Sequence, residues 1–256
     1  MIKKVLFIDS GIGGLSTLAH CLKLCPTLNY TYVADNLNAP YGNKTPKQII
    51  GFLTKIIDAE LKINSIGIIV LACNTATATA ASFLRTKYPK IKIIGTEPAI
   101  LPALKETNLN KKVLVLATPT TCNQPKFKKL INPYKNSLIV SPLNNLAQLI
   151  EKHFYRPNIA TINNIKAVLF KYCAEYGTNV SCVVLGCTHY SLITPIFKEI
   201  FKVPIIDGNM GVAKMLFKTV SGSKNCYFCP TKVFPSIKPT APTKTNYHKI
   251  LTSLLK

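Results

Sequence analysis

The sequence predicts an α/β protein made of two similar α/β halves with mainly parallel sheets. Three observations carry this. Apolar runs of strand length alternate with helical stripes along the chain. The stretch KKVLFIDSG (3–11) is echoed by KKVLVLATP (111–119). VLACNTAT (70–77) is echoed by VLGCTHYS (184–191), each apolar run closing on a cysteine and then turning polar at once. Two independent pairs of strands recur at nearly equal offsets, as expected of two structurally similar halves.

Each element follows in order. VLFID (5–9) ends in the Gly-rich GIGG (11–14), which passes into the apolar helical periodicity of LSTLAHCLKLC (15–25). YTYVAD (30–35) is a second strand. Apolar residues at 49, 50, 53, 56, 57 and 61 lay a helical stripe over 46–64. GIIVLA (67–72) is a third strand, 75–88 a helix, and KIIGT (92–96) a fourth strand. The second half repeats this with KVLVLA (112–117), helices around 144–153 and 159–176, SCVVLGC (181–187) and VPIID (203–207). Near-continuous Val, Ile and Leu in the strands imply parallel sheets covered on both faces. The first domain is expected over 1–96 plus 210–256 and the second over 97–209, the chain after 208 returning to the first. CPTKVFPSIKPTAPTKTNY (229–247) is rich in Pro and Lys and reads as a loop or loose tail.

Composition excludes several classes. At 48% hydrophobic and 9% aromatic residues the chain is globular rather than disordered. Its longest apolar runs, such as IGIIVLAC (66–73), fall short of the ~18–20 residues a spanning helix needs, so no membrane association is expected. Asp9 cuts the first apolar run below the ~7–15 residues of an export h-region, and a cytoplasmic location is expected. The nine cysteines are odd in number and, without an export signal, are read as reduced thiols. Cys21 and Cys25 share one helix face and read as core. Cys226 and Cys229 form a single CxxC with only His248 downstream, short of a structural zinc set, so no metal is expected. The net charge of +22 is almost all Lys, with Arg85 and Arg156 the sole arginines, and it is spread without a basic block. Readers of base edges lean on Arg, which disfavours nucleic acid; the charge instead suits anionic small molecules.

Open parallel sheets bind ligands beyond the carboxyl ends of their strands. Asp9, Ser10, Cys73, Asn74, Thr118, Cys187, Thr188 and His189 all fall at such ends. If the halves face each other, one cleft collects them, with a cysteine on each wall. A free thiol titrates near ~8.5, so neighbours can set one sulfur as thiolate and the other as thiol. One then removes a proton from carbon while the other returns a proton to the opposite face, inverting a stereocentre with no cofactor needed in principle. Such a weak carbon acid demands oriented donors around the carboxylate. Ser10, Asn74, Thr75, Thr118, Thr121 and Thr188 supply them, and Asp9 and His189 can assist the proton transfers. GIGG reads either as a tight turn or as a nucleotide loop. Ser16 stands where the dinucleotide fingerprint needs its last glycine, while Asp35 follows the second strand, where a ribose-binding acid would sit.

FIDSGIGGLSTL (7–18), YVADNLNAPYGNKT (32–45), LACNTATA (71–78), GTEPAI (95–100) and LGCTHY (185–190) together resemble the signature segments of bacterial glutamate racemases. These belong to the cofactor-independent aspartate/glutamate racemase superfamily, and the resemblance runs from about residue 5 to about 215. It implies two similar α/β domains, with mainly parallel sheets, related by a pseudo-twofold with the active site in the interdomain cleft, and interconversion of L- and D-glutamate, supplying D-glutamate for peptidoglycan. Carried over, Cys73 resembles the base acting on the D-enantiomer and Cys187 the base acting on the L-enantiomer, assisted by Asp9 and His189 respectively. Ser10, Tyr41, Gly42, Asn74, Thr75 and Thr188 match substrate-binding positions; Thr118 and Thr121 match the family's T-x-G-T segment. Glu151 resembles a further acidic residue near the second cysteine, in a segment two residues longer than the family pattern. Thr120 stands where the family has glycine, so a positive φ there would strain the loop. Glutamate is the expected partner, and a homodimer is kept open. The alternatives are a racemase of aspartate or another amino acid, and a non-catalytic protein binding an anion or DNA.

Overall fold

The computed structural model describes residues 4–105, 111–222, 235–241 and 246–256; the Cys226/Cys229 pair lies outside them. The first half runs β1 (Lys4–Asp9), α1 (Leu15–Leu24), β2 (Tyr30–Ala34), α2 (Pro46–Ile63), β3 (Ile66–Leu71), α3 (Asn74–Lys87), β4 (Lys92–Gly95) and α4 (Ile100–Lys105). The second runs β5 (Lys112–Ala117), α5 (Pro119–Asn123), α6 (Pro125–Ile131), β6 (Leu138–Pro142), α7 (Leu146–Tyr155), α8 (Ile159–Tyr176), β7 (Val180–Gly186), α9 (Thr188–Ser191), α10 (Thr194–Phe201) and β8 (Ile205–Asp207). α11 (Asn209–Ser221), β9 (Ser236–Pro239) and α12 (Tyr247–Leu255) follow.

Among the described residues the strands form two sheets, ordered β4-β3-β1-β2-β9 and β6-β5-β7-β8, with every pairing parallel. Read from the opposite edge, the second sheet repeats the first four strands of the first. Even an irregularity recurs: the register shifts between Lys4 and Val5 against β3, and between Lys112 and Val113 against β7. Alternation along each central strand feeds two cores. Val5 and Phe7 face the α1 side while Leu6 and Ile8 face α2 and α3. Leu114 and Leu116 oppose Val113 and Val115 in the same way. Each such side chain contributes about 1.5–3 kcal/mol on burial, which explains why one-residue slips are excluded.

Local chemistry sets the helix starts. Thr45 and Gln48 form a capping box at α2 with Pro46 at its first position, and Ile49, Leu53 and Ile57 bury its stripe. Val212, Ala213, Leu216 and Val220 of α11, with Tyr247 and Leu251 of α12, join the core around Leu15 and Leu18. No helix among the described residues is long and apolar enough to cross a membrane.

Two strands escaped the sequence reading. β6 (LIVSP) is an edge strand with a mixed burial pattern. β9 falls inside the stretch expected to be a loop or loose tail, and that expectation is corrected: SIKP pairs in register with β2. Its proline ends the strand at the sheet edge, where a missing N–H costs no ladder bond. α12 also went unread.

Candidate active site

The two cysteines occupy matching places. Cys73 lies just past the end of β3 and Cys187 just past that of β7; each has extended backbone and stands directly before a helix, α3 and α9 respectively. Both are buried, at 6% and 7% exposure, yet both line one cavity of ≈ 640 Å³. Ser10, Tyr41, Gly42, Thr75, Thr118, Glu151 and His189 line it too. Elements of both halves therefore build its walls.

Asp9, Thr188, Asn74 and Thr121 stand behind that lining. Asp9 is fully buried at the end of β1, where its carboxylate accepts the Gly11 N–H (2.8 Å) and the Thr188 hydroxyl (3.1 Å) from the other half. Burial pushes its carboxyl up, with Glu151 adding to the effect, while His189, Gly11 and Thr188 pull it down. Asn74 and Thr121 border a second cavity of ≈ 210 Å³, and the buried Asn74 Nδ2 has no hydrogen-bond partner among the described residues. Among the described residues no cluster of three His, Cys, Asp or Glu side chains is placed to hold a metal.

Three groups of contacts tune the site. Burial pushes the Cys73 thiol up to about 12, helped by the negative charge of Asp9 and by Cys187, against the Ala76 N–H and the Ser10 hydroxyl, which lies 3.9 Å from Sγ. On the opposite wall His189 Nε2 pairs with Glu151 Oε2. Burial alone would depress the imidazole, but Glu151 and the hydrogen bond to Cys187 outweigh it and hold His189 well above its usual range. Between the halves, the hydroxyls of Thr75, Thr118 and Thr121 close a triangle with sides of 3.0, 3.1 and 2.9 Å.

Several expectations resolve differently in detail. Tyr41 lines the cavity, but its hydroxyl donates to Asp35 (2.6 Å). Thr120 carries no strain: it lies in α5, is not among the positive-φ residues, and its hydroxyl donates to the Gly42 carbonyl across the cleft. GIGG is more than a tight turn. A Cβ on Gly11 would stand 2.6 Å from the Glu151 carboxylate, and one on Gly13 would stand 2.6 Å from His189 Nδ1 and 2.7 Å from its backbone nitrogen. These glycines let the first half press against the site residues of the second. Sequence reasoning missed Asn145, which adopts φ 59° at the start of α7, and Gln148, Lys152, Tyr155 and Arg156, all of them cavity lining. Positions 148, 151, 152 and 155 share one helix face, so the helical spacing around Glu151 was the available signal.

A profile of the family described as Asp/Glu/Hydantoin racemase matches residues 17–216, stopping short of β9 and α12. A protein of Clostridium perfringens named glutamate racemase is 41% identical over 215 residues, covering 82% of this chain and 80% of the relative. One of Halothermothrix orenii with the same name is 41% identical over 214 residues, covering 81% of each. Among solved structures, Escherichia coli glutamate racemase in complex with L-glutamate and the activator UDP-MurNAc-ala superposes with a TM-score of 0.84 at 25% identity, over 100% of this chain and 94% of that one. With matched sheets, a cysteine at each matching strand end and these relatives, the chain belongs to the Asp/Glu/Hydantoin racemase family.

Proposed function

We propose that this chain is a glutamate racemase, interconverting L- and D-glutamate by proton transfer between two thiols and so supplying D-glutamate for peptidoglycan. The observation that carries the reading is that Cys73 and Cys187, from matching strand ends of two sheets, line one cavity.

In this scheme the thiolate of Cys187 takes the Cα proton of L-glutamate while the Cys73 thiol delivers a proton to the opposite face, giving D-glutamate. One C–H bond breaks and one forms, one S–H forms and one breaks, and the reverse turnover restores the sulfurs. The neighbours of the two sulfurs favour this assignment. Burial and Asp9 hold Cys73 as a neutral thiol, the form that donates. His189, charged against Glu151, puts a cation beside Cys187, which suits a negative sulfur. We assign Asp9 to assist Cys73 and His189 to assist Cys187. Ser10, Thr75, Thr118 and the Tyr41–Gly42 turn, which line the cavity, are assigned to hold the substrate, hydroxyl and backbone donors facing the carboxylates and oxygen acceptors the ammonium, with Asn74, Thr121 and Thr188 supporting them from behind. The scheme requires no cofactor. Thiols working as acid and base must stay reduced, which supports a cytoplasmic location. A homodimer is the assembly to test by sedimentation.

The test is incubation with L-glutamate in D2O, following Cα deuteration and optical rotation together. Loss of rotation with deuterium at Cα is expected, falling by roughly 10²–10⁴-fold in Cys73→Ala and in Cys187→Ala. No exchange with glutamate, or a fully active single variant, would refute the reading; exchange with aspartate alone would move the substrate.

A further inference from the structure

The turn that carries Tyr41 and Gly42 to the cavity is held from outside by the carboxyl-terminal strand. β9 lies beside β2, and the Thr240 N–H extends that ladder to the Ala34 carbonyl (2.9 Å). Thr240 Oγ1 then donates to Asp35 Oδ1 (2.9 Å) and accepts the Leu37 N–H (3.1 Å). Asn36 and Ala241 bond reciprocally, the Ala241 N–H to Asn36 Oδ1 (3.0 Å) and Asn36 Nδ2 to the Ala241 carbonyl (3.1 Å). Asp35, buried, accepts the Tyr41 hydroxyl and the Asn38 amide (3.0 and 3.1 Å). The strand itself is anchored where Lys238 Nζ reaches both carboxylate oxygens of Glu60 on α2 (2.7 and 3.0 Å).

We propose that Thr240 is a positioning residue for substrate binding, acting through Asp35 to hold residues 35–43 in the binding-competent shape. Neither Thr240 nor Asp35 lines the cavity, whereas Asn36, Tyr41 and Gly42 do. A hydrogen bond to a buried carboxylate is among the stronger ones, and losing it leaves the Asp35 carboxylate held, among the described residues, only by Tyr41 and Asn38, both in the segment it must fix. The 35–43 segment then spends less time in the competent shape, and apparent affinity falls in proportion to that fraction. The proton-transfer step, made by groups on β1, β3 and β7 ends, is untouched once substrate is bound. This inference rests on the glutamate reading above.

The test uses the full-length chain with Thr240→Val, which keeps the shape and removes the hydroxyl. KM for glutamate is expected to rise roughly three- to tenfold with kcat within about twofold, and Thr240→Ser to restore the wild-type KM. Amide exchange across 36–43 in the substrate-free protein is expected to accelerate in Thr240→Val, with β1 and β3 still protected. An unchanged KM, a matching fall in kcat, no rescue by serine, or a Thr240→Val chain that fails to fold would overturn the proposal. If the wild-type chain itself does not turn over glutamate, the proposed function fails instead; unchanged exchange across 36–43 would then overturn this inference separately.

Discussion

Thr75 and Thr118 share a hydrogen bond of 3.0 Å between hydroxyls that come from opposite halves of the molecule. Thr121 closes the triangle, and its N–H also donates to the Thr118 hydroxyl (3.2 Å), so the contact doubles as the cap of α5. The seam between the halves is thus a polar network at the rim of the cavity. Thr75→Val and Thr118→Val should each lower stability by about 1 kcal/mol. Because the hydroxyls work as one unit, the double variant should cost clearly less than the sum. Urea denaturation of the four proteins checks this; additive losses would mean that the triangle is not a unit.

Gly13 tests the role of GIGG. Its missing Cβ is what lets α1 approach the backbone of His189, and backbone cannot step aside as a flexible side chain can. Gly13→Ala should therefore destabilise the fold by about 1–3 kcal/mol and displace His189. A thermal melt together with the His189 NMR resonance reads both. Wild-type values in the variant would show that the glycine is dispensable.

How much was legible follows from what leaves a mark on sequence. The central strands were readable because burial on both faces forces unbroken apolar runs, and because the duplication wrote them twice. Cys73 and Cys187 were readable for the same reason. β9 was not, since an edge strand held by four ladder positions and the polar bonds of Thr240 and Lys238 needs no apolar run. The purpose of GIGG was hidden because a glycine required by a neighbour distant in sequence looks like one required by a turn. Glu151 could be placed on a helix from spacing, but its partner His189 is separated from it by α8 and β7, and no local pattern records that meeting.

The His189–Glu151 pair makes a pH prediction. An imidazole held above its ordinary value keeps its proton more tightly in the folded chain. The stability this gives is complete below about 6.5 and is lost as pH rises through the folded value. In Glu151→Gln the effect of burial is opposed only by the contact with Cys187, so the His189 titration should move to lower pH, carrying the alkaline limb of kcat/KM with it. NMR titration of the ring and a pH–rate profile measure the two. A His189 midpoint indifferent to Glu151 would break the proposed link between the ion pair and the charge beside Cys187.

Cys73 supplies the complementary case at higher pH. Burial pushes its thiol up to about 12 in the folded protein, above the ordinary thiol value near ~8.5, so between those values the native chain binds a proton that the unfolded chain has released. Stability must then fall as pH rises through that window, with the contribution complete below about 9. Other buried groups, Tyr41 among them, titrate upward too, so the informative quantity is a difference between proteins. Cys73→Ala removes this one proton and should lose stability less steeply than wild type from pH 9 upward, whatever fixed offset the smaller side chain adds. Parallel slopes in denaturant titrations across the window would mean that Cys73 is ionised as readily in the fold as outside it, and with that the neutral donor assigned to this wall of the cavity would be lost.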